Sequence, residues 1–132
     1  TMSLPLDELL QTLLSAERAG VQVASASLRE CQDPELRPLL EQILAGEGES
    51  CRRLLACMQH LGLEPNRQTG EFHARAMVIA DLHERMAFID RGQRWVIRKL
   101  QEALPDCADP LVRTELATVL RIHEENSAAT PA

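Results

Sequence analysis

The sequence predicts an all-α fold, a four-helix bundle, and three observations carry that prediction. The chain is rich in Leu and Ala but holds no Tyr, two Phe and one Trp; strands favour aromatic and β-branched residues, helices favour Leu and Ala. Clusters of Pro, Gly, Asp and Asn divide it into four long segments. Within each segment apolar residues recur at spacings of three and four, the signature of a helix with one buried face. At 132 residues the length suits one domain, so residues 1–132 are expected to form a single bundle.

The first segment runs from about Leu6 to Cys31, with Leu10, Leu13, Leu14, Glu17, Val21, Ala24, Leu28 and Cys31 on its stripe. Asp33-Pro34 starts the second, an N-cap followed by proline at the first helical position. Its stripe is Leu40, Ile43, Leu44, Glu47, Cys51, Leu54, Met58 and Leu61, and Gly62 stops it. The third is expected from about Glu71 to Leu104, with Ile79, Leu82, Met86, Ile89, Gln93, Val96, Ile97, Leu100 and Leu104. Asp109-Pro110 starts the fourth, with Val112, Leu116, Val119, Leu120 and His123, ending near Asn126 before a fraying tail.

Composition narrows the function. Fourteen basic against 20 acidic residues give a net charge of −6, which opposes nucleic-acid binding, because phosphate neutralisation needs clustered cations. No apolar run approaches the ~18 residues of a membrane span, so no membrane partner is expected. The first residues, Thr1 to Pro5, have neither the basic region nor the apolar core of a secretion signal. Cys31, Cys51, Cys57 and Cys107 form no CxxC pair and are read as reduced thiols of a cytoplasmic protein. No glycine-rich phosphate loop, Ser-His-Asp order or nucleophile elbow is present, and the residues leave open whether the protein is an enzyme.

Each apolar stripe is interrupted once, by Glu17, Glu47, Gln93 and His123 respectively. An internal repeat relates these interruptions. A shift of 76 residues lays Cys31-x-Asp33-Pro34-x-x-Arg37-x-x-Leu40 on Cys107-x-Asp109-Pro110-x-x-Arg113-x-x-Leu116. The same shift lays Glu17 on Gln93 and Glu47 on His123. Two related helical hairpins are therefore expected. At ~1.5 Å per residue the four polar residues lie at a common distance from their hairpin turns, near mid-bundle and facing inward. The hairpins could dock in either sense.

A carboxylate in a hydrocarbon core must be paired, coordinated or protonated. Two carboxylates, an imidazole and an amide at one level are the donor set of a bundle-core metal site. The arrangement resembles the ferritin-like superfamily, a duplicated helical hairpin whose first helices each give a Glu and whose second helices each give Glu-x-x-His. More narrowly, Leu14-Ser15-Ala16-Glu17-Arg18-Ala19-Gly20, Ile89-Asp90-Arg91-Gly92-Gln93-x-Trp95-Val96 and Ile122-His123-Glu124-x-Asn126 are similar to a small bacterial ferritin-like family of unknown function. The resemblance implies a metal centre, from which this chain departs. Ser50 stands where the first His belongs, Gln93 and His123 where two Glu belong, and Asn126 where the second His belongs. The remaining charge suits one metal ion, not two.

Two readings follow. In one, Glu17, Glu47 and His123 hold a single iron, manganese or zinc ion, with Gln93 as a weak ligand or a partner of the ligands; such a protein could be an oxidoreductase acting with oxygen or peroxide. In the other, Glu17 and Glu47 form a metal-free cluster with protonated His123 and the Gln93 amide, in a bundle serving association or small-ligand binding. Cys51, four residues beyond Glu47, could reach the same cavity or be a small core residue. Arg91, Arg94 and Arg98 beside Trp95 make a basic aromatic edge, suited to an acidic partner or to pairing with Glu115 or Glu124. The fourth segment is short, so Phe72, Ala76, Met77 and Ala80 on the third are expected to be uncovered and to support a homodimer.

Overall fold

The computed structural model describes residues 4–131. Those residues form helices α1 (Leu6–Glu30), α2 (Arg37–Leu61), the short α3 (Phe72–Met77), α4 (Leu82–Ala103) and α5 (Pro110–Ala129), with one 3₁₀ turn at Leu104–Asp106. No strand occurs among them, and none of their helices is long and apolar enough to cross a membrane. The helical bundle predicted from the stripes is the observed fold. α1 packs on α2, α2 on α5 and α5 on α4, while α1 and α4 meet only sparsely and α3 lies against both.

The two hairpin turns repeat in atomic detail. In the first, the Cys31 thiol donates to the Asp33 carbonyl, Asp33 Oδ1 accepts from the Glu35 amide, and the Arg37 guanidinium donates to the Cys31 carbonyl. In the second, the Cys107 thiol, Asp109 carboxylate and Arg113 guanidinium make the corresponding bonds. The C-x-D-P-x-x-R motif is thus a self-contained turn: the guanidinium satisfies the carbonyl of the Cys that follows the ending helix, the thiol donates to the Asp carbonyl, and in the second turn Asp109 caps α5. One difference corrects an expectation. α5 begins at Pro110 as predicted, but α2 begins at Arg37, after a turn over residues 34–36. Pro38 has no N–H to bond the Pro34 carbonyl, so the first turn is looser.

The turns lie at opposite ends of the bundle. His60, in the last turn of α2, bonds Asp109 at 2.9 Å, and His83, in the first turn of α4, lies 3.5 Å from Asp33. Residues 62–81 must therefore travel the length of the bundle. Gly62, at φ 69°, ends α2 in the left-handed conformation, and the Leu63 amide bonds back to the Met58 carbonyl. The crossing chain then follows α1: Gln11 donates to the Glu64 carbonyl and accepts from the Asn66 amide, and Arg18 donates to the Asn66 carbonyl.

The single third helix expected over 71–104 is broken at Val78–Asp81. Asp81 caps α4 by accepting from the Glu84 amide at 3.2 Å, with Glu84 in the capping-box position. Arg85, 1 % exposed, holds the break in place. Its guanidinium donates to the Ile79 carbonyl (2.9 Å), the Ser27 hydroxyl (3.1 Å) and Glu30 (2.6 Å). The break lets α3 fold onto the bundle. Ala76 is fully buried, and Phe72 stacks on Phe88 with centroids 5.0 Å apart. The apolar surface on which a homodimer was expected is thus partly used within the chain, with only Ala80 of that group exposed. α5 also runs past Asn126 to Ala129, with the Ser127 hydroxyl donating to Asp90 at 2.7 Å.

Two apolar layers fill the interior. One is built on Leu10, Leu13, Leu54, Met58, Leu100 and Leu116, the other on Val23, Ala24, Leu40, Ile43, Met86 and Ile89. Between them, in sequence order on α1, α2 and α4, lies the polar residue that interrupts the stripe; on α5, which adds only to the first layer, that residue follows it.

Candidate metal centre

Each long helix sends one polar side chain into this middle layer: Glu17 from α1, Glu47 from α2, Gln93 from α4 and His123 from α5. All four are buried, Glu17 and His123 at 1 % exposure. The sequence expectation that they meet at one level holds. His123 Nε2 lies 2.9 and 3.0 Å from the two Glu17 oxygens and 3.6 Å from Glu47 Oε1. Gln93 Nε2 donates to Glu47 Oε1 at 2.8 Å. Donor atoms of Glu17, Glu47 and His123 all lie within 4.8 Å of one another.

The tautomer of His123 follows from its other nitrogen. Nδ1 is 2.7 Å from the Val119 carbonyl, which can only accept, so Nδ1 carries a hydrogen. Nε2 is then free to face the carboxylates, as a lone pair or as N–H⁺. This is the arrangement that orients metal-binding histidines, one ring N–H fixed to a carbonyl and the other nitrogen presented.

Both carboxyls hold protons more tightly than usual. Burial pushes Glu17 from its ordinary 4.5 up to about 8, against the lowering effect of its hydrogen bond with Glu47. Glu47 is raised well above its ordinary value, first by burial and then by the charge of Glu17, with His123 and Gln93 acting the other way. The pair shares a hydrogen bond, and two anions cannot do so without a proton.

The backbone is shaped around the site. A Cβ at Gly20 would fall 1.9 Å from Glu47 Oε2, so only glycine there lets the carboxylate lie against α1. A cavity of about 390 Å³ leads from Glu17, Glu47, Gln93 and His123 outward between α1 and α4, past Phe72 and Phe88, to Arg75, Arg91 and Arg98. The sparse contact of α1 with α4 and the break before α4 create this opening.

Other sequence candidates are placed differently. Cys51 does not line the cavity; burial and the two glutamates push its thiol up to about 11, so it packs as a neutral group against the first apolar layer. All four cysteines are free thiols. Arg94 pairs with Asp90 at 2.6 Å and Glu115 with Arg53 at 3.1 Å, so the edge beside Trp95 is not closed by Glu115. Ser50 and Asn126, at the positions where the resemblance calls for histidine, are buried, and Asn126 Oδ1 accepts from Gln42 at 3.0 Å. Gly20, Arg75 and Arg85 were not singled out from sequence. For Arg85 and the break before it a signal existed: the 76-residue shift that aligns the turns also aligns Leu82, the first residue of α4, with Leu6, the first residue of α1.

The fold has a counterpart among solved structures. The crystal structure of a DUF305 fragment from Deinococcus radiodurans is similar over 98 % of this chain and 95 % of that one, with a TM-score of 0.62 and 20 % identity; at that identity the likeness speaks for the fold alone. No curated protein matches the sequence. The model of one family, described as a domain of unknown function (DUF6306), matches residues 6–131, so nearly all the helical chain described above is covered and the protein belongs to that family.

Proposed function

We propose that this chain is a mononuclear metal-binding protein of ferritin-like architecture, with Glu17, Glu47 and His123 as its ligands. The observation that carries the reading is the convergence of two carboxylates and an oriented imidazole, from three helices, within 4.8 Å in a buried layer. A set of two carboxylates and one imidazole suits iron, manganese or zinc. Two further features fit an ion. Gln93 Oε1, an acceptor in the layer of the three ligands, is buried without a hydrogen-bond partner, as are Ser50 Oγ and Asn126 Nδ2 one turn beyond Glu47 and His123. Two carboxyls raised by burial, Glu47 also by the charge of Glu17, are relieved when a cation replaces their protons. Iron or manganese held there would supply redox chemistry, and zinc a Lewis acid. The ferritin-like reading is supported by the repeated hairpin turns and by the long crossing between hairpins, which that architecture uses.

A metal-free cluster is the second reading, favoured by one observation: Glu17 is already paired with His123 and Glu47 with Gln93, so the layer is largely self-satisfied. Metal analysis and calorimetric titration with Mn²⁺, Zn²⁺ and anaerobic Fe²⁺ separate the two. The metal reading expects about one equivalent, binding more tightly as pH rises from 6 to 8.5, and lost in Glu17→Ala and His123→Ala. Absence of saturable binding in the folded wild-type protein would overturn it.

A further inference from the structure

We propose that the cavity between α1 and α4 is a binding site for a small organic carboxylate, held with its charged head at the mouth and its hydrocarbon body inside. The cavity, about 390 Å³, falls within the roughly 300–1,000 Å³ of small-molecule sites. Its walls are Val23, Ile43, Ile89 and Val96, with Phe72 and Phe88 on one side. Such walls take a hydrocarbon chain.

The mouth selects the head group. Arg75 from α3 and Arg91 and Arg98 from α4 all line it. Of the other arginines, Arg52, Arg53, Arg85, Arg94 and Arg121 each pair with a carboxylate, and Arg18, Arg29, Arg37 and Arg113 donate to carbonyl or hydroxyl oxygens. Among the described residues no carboxylate lies within 4.0 Å of Arg75, Arg91 or Arg98. Arg75 and Arg91 instead rest on the ring of Phe88, each 5.5 Å from its centroid. That contact positions the guanidinium groups while leaving their N–H forks available to an incoming anion. In a chain of net charge −6, this concentration of unpaired cations at one opening would draw anions to it.

The inner end fixes the orientation. That end lies in the buried layer of Glu17 and His123, each 1 % exposed, and an anionic head carried into it would give up its hydration. The carboxylate therefore stays outside, where guanidinium and water both reach it, and the apolar body enters. Uncharged molecules of the same shape gain the walls but not the mouth.

Octanoate titrated into the chelator-treated 132-residue chain at low salt tests this without any metal, so its result is independent of the metal titration. Octanoate is expected to bind at one equivalent, at least tenfold more tightly than octanol or acetate. Arg91→Gln and Arg98→Gln should each weaken it by about fivefold, the range of a solvent-exposed charge pair, while Arg121→Gln on α5 should change nothing. Ala16→Trp, which fills the cavity from α1, should abolish binding with the arginines intact. Equal binding of octanol would overturn the proposal, as would unchanged affinity in the double arginine variant. Acetate binding as tightly as octanoate would also overturn it, by reducing the mouth to an adventitious anion site.

Discussion

The first hairpin supplies acid to the centre of this protein and the second supplies the groups that answer it. Glu17 and Glu47 come from α1 and α2; Gln93 and His123 occupy the repeat-related positions on α4 and α5. The turns that join each pair of helices use the same thiol, carboxylate and guanidinium bonds. Scaffold and chemistry have thus separated. What is repeated is the device that sets helix ends and therefore levels; what differs is the side chain placed at the level so defined. An amide and an imidazole opposite two acids make a layer able to hold protons or a cation, whereas four acids would need more positive charge than one ion brings.

The largest effect expected from breaking this asymmetry lies in pH. Glu17 has a folded value near 8 against an ordinary 4.5, and Glu47 moves the same way. A raised value means that the protonated carboxyl is favoured by the fold. The contribution is full below about pH 4.5 and is lost as pH rises through 8. Metal-free protein should therefore melt on the order of 10 °C lower at pH 9 than at pH 5. Glu17→Gln should flatten much of that slope, and Gln93→Glu, which adds a third acid from the second hairpin, should steepen it. A level profile for the wild-type protein over this range would show that water reaches the carboxyls.

Removing the second hairpin's answer comes next. His123→Ala leaves the two acids with only Gln93, and truncating one partner of a buried pair costs about 3–5 kcal/mol. Gln93→Ala removes one neutral hydrogen bond, for about 1 kcal/mol. Urea denaturation near pH 7 should separate the two by this margin. Comparable losses in both would mean that the imidazole and the amide act only as packing volume.

The stripes and the Asp109-Pro110 cap made the bundle legible in the sequence, because helix period and capping are local. The central layer was legible for a related reason: a polar residue on an otherwise apolar stripe has to be compensated, and the repeat put four of them at one height. The break before α4 was missed because Met77-Val78-Ile79-Ala80 continues the helical pattern. The residue that secures it, Arg85, works through Ser27 and Glu30, some 55 positions away in the chain. Docking sense escaped for the same reason: it shows in His60 beside Asp109 and His83 beside Asp33, pairs that no local spacing announces. The arginine mouth depends on both, since Arg75 arrives only when α3 folds over.

Arg85 offers a third, smaller test. Its repeat-related position in the first hairpin is Leu9, also buried, so both hairpins point this residue inward but only the second needs a donor. Arg85→Leu makes the halves alike. It should cost about 2 kcal/mol, because the Ile79 carbonyl and the Ser27 hydroxyl lose their partner, and hydrogen exchange should quicken in residues 72–84 while α1 and α2 are spared. Uniform exchange across the chain would place the role of Arg85 in global stability instead.

The smallest effect concerns the one place where the two turns differ. Pro38 and Thr114 are related by the repeat; the proline delays α2 to Arg37, while Thr114 sits within a helix that starts at Pro110. Exchanging them tests whether that single residue sets the difference. Thr114→Pro removes the amide that would bond the Pro110 carbonyl, and with it the hydroxyl that donates to the same carbonyl at 2.9 Å. The cost should be about 1 kcal/mol, below the ~3 kcal/mol of a mid-helix proline, because Asp109 still caps the Leu111 and Val112 amides. Pro38→Thr restores an amide to the first turn of α2 but also frees the unfolded chain, an opposing term of roughly 0.4–1 kcal/mol. Its net effect should lie near zero. The exchange is therefore unequal: the second turn loses more by becoming like the first than the first gains by becoming like the second. Equal and opposite changes in denaturation midpoint would show instead that local hydrogen bonding alone governs both turns.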